Sequence, residues 1–121
     1  MIVVTGGAGF IGSAFVWKLN EMGRDDVIVV DNLGSSEKWK NLVNRRYQEY
    51  VHKDDFLDMI LDEHMHWEIE AIVHMGACSS TTERDADYLM NNNLRYTKAV
   101  CLWCLEQGAR FINASSAATY G

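Results

Sequence analysis

A glycine-rich segment near the amino terminus has the residue types and spacing of a phosphate-binding turn. Residues 5–12 read Thr-Gly-Gly-Ala-Gly-Phe-Ile-Gly, in which Gly7, Gly9 and Gly12 satisfy G-x-G-x-x-G and Gly6 begins the looser G-x-x-G-x-x-G. Glycines at such positions allow a tight turn, a close backbone approach to a pyrophosphate and close packing of the helix that follows. The free N–H groups and the positive dipole end of that helix would then face the phosphates.

An aspartate follows at the distance that a dinucleotide-binding unit requires. Asp31 comes 19 residues after Gly12, at the end of the second apolar run of the chain. An acidic residue in this place accepts hydrogen bonds from the ribose of an adenine dinucleotide. The spacing therefore favours a dinucleotide site over glycines that only change the chain direction.

Three polar side chains near this aspartate favour a cofactor that carries an additional phosphate. Asn32 comes next in the chain, and Lys38 and Lys53 lie in the segments after the second and third predicted strands. Because parallel strands end at the same edge of a sheet, these segments are expected to converge on the adenosine ribose. Two lysines suit a 2′-phosphate, since hydrogen bonds to charged groups contribute about 1.5–3 kcal/mol each. The alternative for each lysine is an ordinary solvated surface residue.

Short apolar runs alternate with helical patterns and predict the elements that position these residues. Five runs predict β-strands, at residues 2–5, 27–30, 47–51, 69–75 and 111–114. Helical spacing follows the glycine turn, recurs over 56–61 and 84–107, and is weak over 39–43. Helices between successive strands imply right-handed crossovers and a parallel sheet. The predicted fold class is therefore α/β, a doubly wound Rossmann-type parallel sheet with strand order 3-2-1-4-5.

Composition and charge disfavour several other classes of protein. No apolar run approaches the roughly 20 residues of a membrane span, and the first residues lack the pattern of a signal peptide, so a cytoplasmic protein without membrane contact is expected. A net charge of −6 disfavours nucleic-acid binding. Cys101 and Cys104 fall, with Leu105, on the predicted apolar stripe of the long helix, which favours core packing over a zinc or redox pair. No metal site is predicted.

Two further segments carry a resemblance to a known family. Residues 76–83 read Gly-Ala-Cys-Ser-Ser-Thr-Thr-Glu, and residues 114–121 read Ala-Ser-Ser-Ala-Ala-Thr-Tyr-Gly. The glycine turn, with Asp-Asn-Leu at 31–33, resembles the extended short-chain dehydrogenase/reductase superfamily. The two later segments are similar, within it, to the ADP-L-glycero-D-manno-heptose 6-epimerases. The resemblance runs over the whole chain.

This resemblance implies an isomerase that inverts carbon 6 of an ADP-heptose by transient oxidation and reduction with NADP. The product would supply the inner-core heptose of bacterial lipopolysaccharide, and the family resemblance implies a homo-oligomer, a pentamer. The alternatives are another NAD(P)-dependent nucleotide-sugar epimerase, dehydratase or reductase, and a non-catalytic nucleotide-binding module.

The resemblance also implies roles for individual residues. Those implied at the pyrophosphate turn are Gly6, Gly9, Phe10, Ile11 and Gly12. Those implied at the ribose and 2′-phosphate are Asp31, Asn32, Lys38 and Lys53. Those implied along the middle of the cofactor are Met75, Gly76, Ala77, Cys78, Ser79 and, from the long helix, Asn92. The neighbouring amides Asn91 and Asn93 are alternatives to Asn92, because spacing alone does not rank the three.

Ser116 matches the catalytic hydroxyl that such enzymes place beside the reacting carbon, and Ser115 is the competing candidate. A hydroxyl there bonds the substrate oxygen while its charge changes. The superfamily also needs a Tyr-x-x-x-Lys pair, and no tyrosine of this chain has a lysine four residues later. Residues 1–121 are therefore expected to form an incomplete NADP-binding domain, truncated after strand five, without its substrate domain and inactive alone. His52 stands where many relatives carry an aspartate that contacts adenine.

Overall fold

The central strands form from apolar runs whose side chains are buried on both faces of the sheet. Every residue of the first two strands is buried, as is expected of parallel strands covered by helices on both sides. The computed structural model describes residues 1–34, 37–62, 64–75 and 86–113, with the side chains of the last helix described from residue 95. Its elements are β1 Ile2–Thr5, α1 Phe10–Glu21, β2 Val27–Asp31, a 3₁₀ helix Lys38–Leu42, β3 Glu49–His52, α2 Lys53–Leu61, β4 Ala71–His74, α3 Ala86–Gln107 and β5 Arg110–Asn113.

All five strands are parallel, and their order in the sheet is β3-β2-β1-β4-β5. The predicted doubly wound sheet is confirmed. The order reverses direction at β1, which has β2 on one side and β4 on the other. Ligands of open α/β sheets bind at such a switch point, beyond the carboxyl ends of the strands.

The strand register brings polar residues to that edge. Thr5 pairs with Val30 on one side and with His74 on the other, and Asp31 pairs with His52. Each of these residues is the last or next-to-last of its strand. The glycine turn therefore leaves the sheet between two polar strand ends.

Alternate residues of β1, β2 and β4 pack into two separate cores, because successive side chains point to opposite faces. One core, beneath α2 and α3, includes Val3, Ile28, Phe56, Val100 and Trp103. The other lies beneath α1 and the 3₁₀ helix and includes Val4, Val16, Leu19, Leu42 and Val73. Packing on both faces therefore fixes the position of the carboxyl edge of the sheet.

From residue 95 onward, the long helix α3 buries a stripe that differs from the one its sequence predicts. Cys104 is buried and Cys101 only partly, while Leu105 is 74% exposed, so the predicted stripe is wrong at Leu105. Leu105 lies about 100° around the helix from Cys104, outside the face that Val100 and Trp103 present to the sheet. Burial raises the pKa of the Cys104 thiol to about 11, so the thiol stays protonated at neutral pH, which is consistent with core packing.

The smaller differences between prediction and structure concern where strands and helices begin and end. The third strand begins at Glu49 rather than at residue 47, and the fourth is limited to Ala71–His74. The weak helical patch over 39–43 forms the 3₁₀ helix. Among the described helices, none is both long and apolar enough to cross a membrane.

Candidate cofactor site

The glycine turn after β1 is closed by two backbone hydrogen bonds. Gly6 adopts a φ of 69°, which side-chain-bearing residues rarely adopt. Its N–H donates to the Val30 carbonyl at 2.7 Å, and its carbonyl accepts from the Gly9 N–H at 3.0 Å. These bonds fix the turn to the end of β2.

Two glycines of the turn have different physical reasons to be glycine. A Cβ on Gly12 would overlap the Gly6 carbonyl oxygen and lie 2.8 Å from the Gly6 carbonyl carbon and 2.9 Å from the Gly7 Cα. A Cβ on Gly9 would meet only the Gly6 oxygen, at 3.3 Å, among the described atoms within 4 Å. Helix packing therefore requires Gly12, whereas Gly9 leaves space for a ligand.

The amino terminus of α1 is open to an anion. Its N-cap is Gly9, which offers no side-chain cap, and its first turn contains no acidic residue. The first hydrogen bond of the helix runs from the Ser13 N–H to the Gly9 carbonyl, at 2.9 Å. The N–H groups of Phe10 and Ile11 come before Ser13 and therefore have no partner within the helix. The Phe10 and Ile11 side chains are 84% and 57% exposed and leave the end of the helix uncovered. The arrangement suits a phosphate.

Asp31 anchors the turn with the same carboxylate that was expected to bind a ribose. Its Oδ2 accepts from the Ala8 N–H at 2.9 Å, and its Oδ1 accepts from the Asn32 N–H at 2.6 Å. The Lys38 ammonium also donates to Oδ1, at 2.8 Å. Asp31 is only 8% exposed, whereas Lys38 is 38% exposed and borders solvent. A ribose hydroxyl that approaches this carboxylate would therefore have to compete with three donors that already bond to it.

The segment after β2 holds Lys38 against the turn. The Asn41 amide donates to the Ala8 carbonyl at 2.9 Å, and the Arg45 guanidinium donates to the Ser13 carbonyl at 2.8 Å. The Tyr50 hydroxyl donates to the Asp31 carbonyl at 2.9 Å from β3. The segment from Lys38 to Arg45 is thus bonded to both the turn and α1.

A cavity of about 510 Å³ lies beside Asp31, between α2 and α3. Lys53 and Leu57 line it from α2, and Arg95 and Tyr96 line it from α3. The Tyr96 hydroxyl donates to the Lys53 carbonyl at 3.1 Å, which fixes the start of α2 against α3. The pKa of Tyr96 is raised, mainly by burial, so its hydroxyl keeps its proton. The cavity places Lys53 on the same side of the sheet edge as Asp31.

A buried hydrogen-bond chain crosses the edge behind this cavity. The Met75 N–H donates to Thr5 Oγ1 at 3.0 Å, and Thr5 Oγ1 lies 2.7 Å from His74 Nδ1. His74 Nε2 lies 2.9 Å from Thr97 Oγ1. Because Thr5 accepts from Met75, we infer that its hydroxyl donates to Nδ1 and that Nε2–H donates to Thr97. Burial lowers the pKa of His74, which favours this neutral ring.

Most of the sequence-predicted cofactor residues meet at this edge. The structure brings together the glycine turn, the start of α1, and Asp31, Asn32, Lys38, Lys53 and Met75. Asn92 lies within α3, but its side chain is outside the described part of the chain. Gly76, Ala77, Cys78, Ser79 and Ser116 also lie outside the described residues.

Sequence reasoning missed the supporting residues. Thr5 directly precedes the first glycine, which is a signal for a residue at the turn, and Thr97 falls on the predicted inner stripe of the long helix, but nothing in the sequence marks His74 or Arg95. His52 has a local role, because its Nδ1 accepts the Asp54 N–H at 3.1 Å and caps α2. The adenine contact considered for this position stays untested.

The glycine turn lies at the switch point of a parallel sheet, the N–H groups that follow it can bind an anion, and an aspartate ends β2. These features define a Rossmann-type dinucleotide-binding domain. A family model described as the NAD dependent epimerase/dehydratase family matches residues 2–121. The chain belongs to this family.

Its curated relatives include heptose-nucleotide epimerases. The ADP-L-glycero-D-manno-heptose-6-epimerase of Nitratidesulfovibrio vulgaris is 71% identical over all 121 residues, and that of Fusobacterium nucleatum is 54% identical over the same length. The chain spans 38% and 36% of these two proteins, respectively.

Solved structures show the same similarity. The ADP-L-glycero-D-manno-heptose-6-epimerase of Helicobacter pylori aligns with a TM-score of 0.78 at 29% identity, over 99% of this chain and 40% of that one. The UDP-glucose 4-epimerase of Thermotoga maritima aligns with a TM-score of 0.74 at 33% identity, over 93% of this chain and 36% of that one.

Proposed function

We propose that the protein binds a nicotinamide dinucleotide along the carboxyl edge of its sheet, with the pyrophosphate at the start of α1. Three observations support this: the uncapped amides of Phe10 and Ile11, the space beside Gly9, and the family's description as NAD dependent. When bound, such a cofactor accepts a hydride and returns it. The chain's own residues position it and hold its charge.

We further propose that this cofactor is NADP. The Lys38 ammonium lies 2.8 Å from Asp31, and Lys53 lines the cavity that Asp31 borders. A 2′-phosphate bound at this point would interact with two cations, Lys38 and Lys53. The 2′-hydroxyl of NAD must instead compete with Lys38, Ala8 and Asn32 for the Asp31 carboxylate. Asn32, next to the aspartate, is proposed as a further contact of the ribose end.

The remaining proposed site residues continue along the same edge. The Met75 N–H is fixed by both the hydroxyl and the carbonyl of Thr5, at 3.0 and 3.1 Å. From this fixed point, residues 76–79 are proposed to pass the middle of the cofactor, with Asn92 of α3 supporting it. Ser116 follows β5 by three residues and is proposed as the hydroxyl that bonds the reacting oxygen.

We propose that the complete protein is an ADP-glycero-manno-heptose 6-epimerase, an isomerase acting on an ADP-heptose nucleotide sugar. The observation that carries this proposal is the 71% identity over all 121 residues to the Nitratidesulfovibrio vulgaris enzyme. Residues 1–121 are proposed as the NADP-binding domain, with the substrate domain in the remaining length of the protein. A cytoplasmic homopentamer that supplies heptose for lipopolysaccharide is the physiological setting proposed with it.

A chromatographic assay tests this function. The complete protein, loaded with NADP, is incubated with ADP-D-glycero-D-manno-heptose, and the two C6 epimers are resolved. We expect interconversion, and we expect Ser116→Ala to lower kcat while the affinity for NADP is unchanged. Conversion of UDP-glucose in place of the heptose substrate would support the alternative of another nucleotide-sugar epimerase, which the Thermotoga maritima similarity favours. Tight NADP binding without turnover of either substrate would support a non-catalytic module.

A further inference from the structure

The cavity between α2 and α3 combines apolar walls with two cations. Leu57 of α2 and Ala99 of α3 contribute apolar surface, and Tyr96 contributes its ring. Lys53 and Arg95 are the basic side chains that line the cavity, and both residues are exposed. An apolar slot with cations where it opens to solvent suits a planar base that carries a nearby phosphate.

The two cations enter the cavity from two helices that are fixed to each other. The Tyr96 hydroxyl donates to the Lys53 carbonyl at 3.1 Å, so the residue next to Arg95 contacts the residue that carries the other cation. Lys53 also follows His52, whose register partner is Asp31. The two basic side chains therefore line one cavity beside the end of β2.

Within the part of the chain that the structure describes, no carboxylate pairs with either of these cations. Among the described residues, the side chains of Arg95 and Lys53 make no hydrogen bond or ion pair. Of the two carboxylates that line the cavity, Asp31 already pairs with Lys38. The other, Asp54, is 75% exposed and lies 3.8 Å from the His52 ring. An anion that enters the cavity therefore meets two cations that no described residue pairs.

We propose that Arg95 binds the 2′-phosphate of NADP together with Lys53, as a specificity-determining residue contributed by α3. This inference rests on the proposed function, since it assigns a further contact to the same cofactor. A guanidinium donates two parallel hydrogen bonds to phosphate oxygens, which a single ammonium cannot do. The cofactor's ribose end is thus held from three segments, by Lys38 after β2, Lys53 at the start of α2 and Arg95 on α3.

The test is a calorimetric titration of the complete protein with NADP, NAD, 2′,5′-ADP and 5′-AMP. We expect Arg95→Gln to weaken NADP and 2′,5′-ADP by about tenfold or more and to leave NAD and 5′-AMP unchanged. Arg95→Lys should recover part of the lost affinity, because it restores the positive charge but not the two parallel hydrogen bonds. Lys98→Gln is the matched control, since it removes one exposed positive charge from the same helix outside the cavity lining. It should change none of the four affinities.

Three results would overturn the inference in distinguishable ways. Equal losses of affinity for 2′,5′-ADP and 5′-AMP would mean that Arg95 packs against adenine and does not bind the 2′-phosphate. Unchanged NADP affinity in Arg95→Gln, with a wild-type preference for NADP, would remove Arg95 from the site and leave the proposed function intact. A wild-type protein that binds NAD and NADP equally would refute the 2′-phosphate assignment itself. A thermal unfolding curve for each variant confirms that it is folded.

Discussion

Adding one methyl group at either of two neighbouring glycines should have opposite consequences. In Gly12→Ala the new Cβ overlaps the Gly6 carbonyl oxygen and comes within 2.9 Å of the Gly7 Cα. These are backbone atoms of a turn held by hydrogen bonds to Val30 and within itself, so they cannot rotate away as a side chain would. Overpacking of this kind costs about 1–3 kcal/mol of unfolding free energy, and the number of close contacts places Gly12→Ala at about the upper figure.

In Gly9→Ala the same methyl group is almost without contacts. Its φ of −71° and ψ of 172° are ordinary for alanine, and the closest described atom is the Gly6 oxygen at 3.3 Å. The unfolding free energy should change by less than about 1 kcal/mol. The methyl group would occupy the space that we propose for the pyrophosphate, so the affinity for NADP should fall by about tenfold or more.

Two measurements on the complete protein separate these effects. Urea unfolding gives the stability of each variant, and calorimetry gives its affinity for NADP. We expect Gly12→Ala to lose stability and Gly9→Ala to lose affinity while unfolding like the wild type. Wild-type affinity for NADP in Gly9→Ala would refute the placement of the pyrophosphate at this turn.

Two more predictions concern stability and activity. Because burial lowers the pKa of His74, the unfolded chain binds a proton more readily than the folded one, so the free energy of unfolding should fall as pH falls below about 6.5. Urea titrations at about pH 7.5 and about pH 5.5 should show a smaller loss in His74→Gln than in the wild type, and an identical loss would contradict the buried neutral ring. Residues 1–121 alone should not epimerise ADP-heptose, because they contain no Tyr-x-x-x-Lys pair; turnover above an enzyme-free control would show an acid/base within these residues.

The strand order, and the convergence of the proposed cofactor residues on one edge of the sheet, could be predicted because their signals are local. The glycine spacing, the apolar run that ends at Asp31 and the alternation of strand and helix each lie within a short window of sequence. Parallel pairing then brings the strand ends together without further information.

The supporting contacts could not be predicted, because they depend on register between distant segments. Thr5 and His74 are 69 positions apart, and they meet only because β1 and β4 pair with these residues opposite each other. The bond from the Ala8 N–H to Asp31 likewise depends on how the turn folds back over β2. Arg95 carries no motif, and only the packing of α3 against α2 places it beside Lys53.

The exposed face of α3 illustrates a different limit. Leu105 belongs to an apolar pattern that spacing alone interprets as core, yet it is 74% exposed. Which part of a broad apolar face is buried depends on the elements that pack against it. Trp103, two residues before Leu105, is buried instead.

The most direct test of the central claim compares NADP with NAD in the complete protein and in a variant that combines Lys38→Ala with Lys53→Ala. Both lysines adjoin the Asp31 end of the site, so the double variant should lose about a hundredfold or more in NADP affinity while its NAD affinity stays unchanged or improves as Asp31 is released. Lys40→Ala is the control, since it removes a charge from the same 3₁₀ helix, where Lys40 pairs with Glu37. Equal losses for the two cofactors, or none, would contradict the assignment of this site to NADP.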